Sequence, residues 1–178
     1  MKTIPQSSQP SPSYGRQSRP VLTQTENNTT LWVGHLKHGA NEHVAGQTFT
    51  CPSEGLLNNI QLYSSAVTRP GELHLTLHEF DAASRTWGPA IGQSILALEQ
   101  IDTASWIRFE LEPVQLKKNT AYGFRLHAPE ALIGLGEAAH EAKSPFNFGM
   151  AWNGGAHHPE NGSYFNYFSL AFKVELCA

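Results

Sequence analysis

Along residues 72–80 apolar and polar side chains alternate without a break: Leu73, Leu75 and Leu77 interleave with His74, Thr76 and His78. Successive strand residues point to opposite faces, so this spacing predicts three leucines in a core and the two histidines and the threonine outward. The same period recurs at residues 106–112, with Ile107, Phe109 and Leu111 inward, and at residues 122–127, with Tyr122, Phe124 and Leu126 inward. Repeated half-buried strands of this kind predict an antiparallel sandwich whose sheets each have one wet face.

Further strands are expected at residues 45–51, 59–64, 94–99, 106–116, 132–135, 146–152 and 167–176, with a short lead-in strand at 31–33. Turn signals at residues 52–55, 69–71, 88–92, 117–119 and 153–155 punctuate them. Pro113 implies a bend or a sheet edge, because it cannot donate to a ladder. Residues 130–143 hold Ala138, Ala139 and Ala142 and are expected to contain a helical turn. Residues 1–30 open with a Ser-, Pro- and Gln-rich stretch too poor in large apolar groups to offset ordering entropy, and read as a flexible tail before a domain at 31–178.

The 178 residues, 40% of them hydrophobic, suit one domain. Twelve basic against fifteen acidic residues, without a Lys/Arg cluster, argue against a nucleic-acid partner. Residues 1–19 lack an apolar signal core, and no apolar run approaches the ~20 residues of a membrane helix. The chain as written is therefore expected to be soluble and unexported, with no membrane partner and its compartment unassigned. Cys51 and Cys177 lie near the first and last patterned strands and could meet if those strands are neighbours, but two cysteines make no disulfide framework and separate thiols are the favoured reading. Asn27, Asn28 and Asn161 sit in acceptor sequons, which carry meaning only on a secretory route.

One ordered series of segments has a family look. Gln47-Thr48-Phe49-Thr50, residues 57–63 and 73–79, Gly88-Pro89 and Gly92-Gln93 come first. Trp106-Ile107-Arg108-Phe109, Pro113-Val114-Gln115-Leu116, Lys118-Asn119-Thr120-Ala121-Tyr122 and Leu170-Ala171-Phe172-Lys173-Val174 follow. Over residues 46–176 the series resembles the jelly-roll modules of choice-of-anchor bacterial proteins, similar in shape to galactose-binding-like domains. The resemblance implies an all-β, antiparallel jelly-roll β-sandwich serving as a sugar-binding accessory domain of a surface protein.

Catalytic and metal signatures are weak. His74 and His78 share a strand face, but four residues at about 3.3 Å each separate them by about 13 Å, too far for one metal. His35, His38 and His43, and the pair His157 and His158, have loop spacing without a third ligand of fixed geometry, so no metal site and no cofactor is expected. Asp81 and Asp102 are the only aspartates. Arg108, Glu110 and Glu112 read as a solvated charge ladder, and Glu137 with Glu141 as an ordinary surface pair. No nucleophile elbow, zinc-protease helix or phosphate loop occurs, and Gly134-Leu135-Gly136 lacks the strand-helix-strand unit of a dinucleotide site.

Aromatic residues give the remaining lead. Trp87 in a long loop, Asn153 in a turn, Tyr164 and Arg125 combine ring faces with hydroxyl-bonding groups, as a glycan site requires. Trp152 continues the alternation of Phe146, Phe148 and Met150 and is expected in the core. The expected function is a non-catalytic binding module, with carbohydrate as its ligand. A structural or protein-interaction domain is the alternative, and a hydrolase or lyase using paired carboxylates a third.

Overall fold

The computed structural model describes residues 17–36, 42–156 and 158–178. The described chain is antiparallel β throughout, with one 3-10 turn at Gln100–Asp102. In chain order the strands are β1 (Ser18–Gln24), β2 (Thr29–His35), β3 (Glu42–Thr50), β4 (Gly55–Arg69), β5 (Gly71–Asp81), β6 (Thr86–Leu98) and β7 (Ser105–Glu110). They continue with β8 (Gln115–Leu116), β9 (Ala121–His127), β10 (Leu132–Ala139), β11 (Ala151–Gly155), β12 (His158–Phe165), β13 (Phe168–Leu170) and β14 (Phe172–Cys177). No helix of the described residues is long and apolar enough to cross a membrane.

The strands form a sandwich. One layer holds β1, β14, β4, β7, β8, β10, β13 and β2; the other runs β12, β11, β3, β9, β5, β6. Strand β2 joins them, pairing with β10 over most of its length and with β3 at Gly34 and His35. The junction falls at Gly34, whose φ of +115° strains any L side chain and where a Cβ would sit 2.0 Å from the Ala131 carbonyl oxygen. Between the layers lie Leu73, Leu75, Leu77, Phe124 and Leu126 from one side and Ile60, Leu62, Ile133 and Val174 from the other, all fully buried. Phe172 reaches across to Phe49 and Phe124, with ring centroids 6.1 and 5.7 Å away. The alternation of apolar and polar residues thus sets the inner faces as the sequence predicts.

The buried Gln47 ties strands together with its amide. Its Nε2 donates to the Thr48 carbonyl at 3.0 Å, while its Oε1 accepts the Leu170 N–H at 3.0 Å. Pro113 behaves as expected: the ladder to β4 lapses between β7 and β8.

Three expectations are corrected. Residues 18–24, read as tail, form β1, which pairs along β14 and packs Val21 and Leu22 against the core. The tail expectation for residues 1–16 lies outside the described residues. The helical turn expected within residues 130–143 does not form: the strand expected at 132–135 continues to Ala139, paired with β2 on one side and with β4 on the other. Gly134 and Gly136 explain this, since both are poor helix formers and both leave room for outward rings: Trp32 over Gly134 and Tyr63 over Gly136. Residues 146–150, read as strand, run alongside β3 through the Thr48 N–H to Met150 and Thr50 N–H to Phe148 carbonyl bonds before β11 begins.

Candidate functional site

The outer face of the β12-to-β6 layer carries one continuous row of paired residues. Tyr164 on β12 lies opposite Trp152 on β11, which faces Gly46 on β3, then Arg125 on β9, Thr76 on β5 and Gln93 on β6. Neighbouring strands are about 4.8 Å apart, so this row spans six strands of a single surface.

Glycines make room for the rings on that surface. A Cβ at Gly123 would lie 2.5 Å from the Trp87 ring, and one at Gly46 would lie 3.0 Å from Trp152 and 3.5 Å from Trp87. Cβ atoms at Gly154 and Gly162 would fall 2.9 and 2.0 Å from the Trp152 indole. The two indoles therefore rest directly on backbone. Trp152 is fully buried there, as expected, but it is buried under the outer face and not between the layers.

Arg125 lies over both indoles, its guanidinium carbon 4.3 Å from the Trp87 ring centroid and 5.0 Å from that of Trp152. Cation-π contacts contribute from about 0.5–1 kcal/mol at exposed sites to about 2 kcal/mol when desolvated, and the half-buried Arg125 falls between those limits. Trp87 Nε1 donates to the Tyr164 hydroxyl at 2.8 Å, and that hydroxyl donates to the Arg85 carbonyl at 3.3 Å. The imidazole of His78 and the ring of Phe80 pack edge-on against Trp87, at 5.5 and 5.1 Å.

Of the four residues singled out from sequence, Trp87, Arg125 and Tyr164 converge and Asn153 does not. Trp87 lies within β6 and not in a loop, because residues 88–92 continue that strand through a bulge opposite His78. It is half-buried and braces Arg125, with its surface taken up by neighbouring side chains. Asn153 belongs to β11, one residue on from Trp152, and so points to the other side of the strand, where it is exposed.

Beside the Arg125 stack opens a cleft of about 300 Å³ lined by Val44, His74, Thr76, Arg125, His127, Gly155 and Ala156. His74 and His127 are register partners with ring centroids 6.0 Å apart, edge to face. His74 bonds Glu72 at 2.8 Å, and His127 meets the buried carboxylate of Glu42 at 2.5 Å. Thr76 and His78, read as outward, are half-buried and buried respectively. Burial pushes the His78 imidazole below its ordinary value; the Gly88 carbonyl opposes that shift and the Arg125 charge adds to it. As a neutral ring it donates from Nδ1 to the Gly88 carbonyl at 2.9 Å and accepts the Thr76 hydroxyl at Nε2, at 2.8 Å.

Thr76, read from sequence only as outward, and His127, which no sequence signal singles out, both line the cleft. The alternation at residues 122–127 puts Arg125 and His127 outward together, but only the register brings them to His74. Among the described residues, no group of three or more His, Cys, Asp or Glu side chains is placed to hold a metal. His38 and His157 lie outside the described residues. Cys51 is buried and Cys177 half-buried, and both are free thiols. No protein-family model matches the chain, and comparison with curated proteins returns no match.

On the opposite outer face Trp32 is 36% exposed, Tyr63 meets Trp106 edge-on at 5.5 Å, and Lys173 lies 4.1 Å over the Trp106 ring.

Proposed function

We propose that this chain is a non-catalytic binding module of galactose-binding-like shape whose ligand is a carbohydrate held in the Arg125 cleft. The observation that carries the reading is the meeting of a guanidinium, two imidazoles and a concave wall in a space of about 300 Å³, braced from behind by indoles. Binding sites of this size orient ligands with a few polar groups on a pre-formed wall. Arginine and histidine donors suit sugar hydroxyls, while Val44, Gly155 and Ala156 offer an apolar wall to the C–H faces of a ring.

Glycan-array screening followed by calorimetry tests this. A bound glycan should lose about tenfold or more in affinity on Arg125→Ala or His127→Ala, in line with the ~1.5–3 kcal/mol of a hydrogen bond to a charged group. Trp32→Ala, on the far face, should leave affinity unchanged. Loss of binding with Trp32→Ala and none with the cleft variants would move the site to the other surface.

A second reading, a protein-interaction domain, is favoured by β6. This edge strand runs for 13 residues without a charged side chain, pairs among the described residues only with β5, and exposes Ile91 and Ile95 at 36% and 54%. Uncharged edges are templates for pairing with another chain. Under this reading light scattering finds a stable oligomer that Ile95→Lys disperses.

A further inference from the structure

Arg125 has no counter-ion. All fifteen acidic residues are among the described ones, yet Arg125 joins none of their ion pairs. Its Nε is buried without a hydrogen-bond partner among the described residues. The two imidazoles of the cleft each meet a carboxylate: His127 meets Glu42 and His74 meets Glu72.

Withdrawing a cation from water is costly unless a partner replaces the lost solvent. The indoles supply part of that replacement, but they act on the flat face of the guanidinium. Its N–H donors lie in the plane, in a fork whose natural complement is a planar, two-oxygen acceptor. Neither Lys nor a neutral amide would match that fork so well.

We infer that the cleft takes a sugar bearing a carboxylate, such as a uronic or sialic acid, with the carboxylate docked on Arg125. His74 and His127 then face the adjoining hydroxyls, and Val44 with Ala156 the ring. This specificity rests on the carbohydrate reading above and adds to it the charge of the ligand.

The test is calorimetric titration of the full chain with oligogalacturonate, a glucuronate-containing disaccharide and sialyllactose. Each is run beside its methyl ester, its neutral counterpart and a sulfated sugar. At least one free acid should bind, with its methyl ester weaker by about tenfold or more. Arg125→Lys should show the same loss, with the melting temperature recorded alongside to separate lost binding from lost stacking on the indoles. Should that variant fail to fold, the ester comparison still decides, because it leaves the protein untouched. Equal binding of acid and ester, or preference for the neutral or sulfated sugar, overturns the inference while leaving a carbohydrate module standing. Absence of binding by every sugar overturns both.

Discussion

At Gly123 the missing side chain is occupied space: the Trp87 ring sits where a methyl group would be, 2.5 Å away. Gly123→Ala should therefore destabilise the protein by about 1–3 kcal/mol, the cost of overpacking, and dislodge Trp87 from Tyr164. Urea unfolding measures the first effect and tryptophan emission the second. Gly155→Ala is the matched control, with nothing within 4 Å of its Cβ, and should stay within about 0.5 kcal/mol of the parent. Glu137 is the other residue whose surroundings decide its behaviour. Read from sequence as surface, it is buried on the core side of β10, and burial raises its pKa to about 7 from 4.5. Between those two values the folded state holds a proton that the unfolded state releases, so stability should fall as pH rises from 4.5 to 7 and level off above. The fall amounts to about 3 kcal/mol at most, and Glu137→Gln should abolish it. Denaturation midpoints at pH 5 and pH 8 for the two proteins check the sign. Sequence alone misplaces Glu137 because the alanines beside it suggest a helix face, whereas pairing with β2 and β13 imposes a strand.

Among the elements, those with alternating apolar residues were legible, and those without were not. β5 and β9 follow directly from Leu73, Leu75 and Leu77 and from Phe124 and Leu126, because the core takes every second residue. β1 and β12 have no such period. β1 reads Ser-Arg-Pro-Val-Leu-Thr-Gln, and only the neighbouring β14 gives its backbone a ladder to join. Its contribution is measurable. A chain beginning at residue 25 should lose about 2–4 kcal/mol against one beginning at residue 17, through the contacts of Val21 and Leu22 and the uncovered edge of β14. Equal melting temperatures for the two would show β1 to be dispensable.

For the molecule as a whole, the two outer faces differ in a way that no single segment records. Trp87, Arg125 and Tyr164 are 38 and 39 residues apart from one to the next, wait for register to unite them, and leave Asn153 on the wrong side of its strand. The glycines at 46, 123, 154 and 162 were the signal available, since each stands where a strand would ordinarily carry a side chain. Their meaning emerges only once the indoles are seen lying on them. A different consequence follows from how β1 meets β14. Ser18 is paired with Cys177, and the ladder runs from there inward to Gln24 and Phe172. A pull applied at Ser18 and Cys177 would thus load the outermost pair first and peel the bonds apart in succession, like a zip. The fold resists heat and denaturant with its whole core, but it meets tension along that line with one rung at a time.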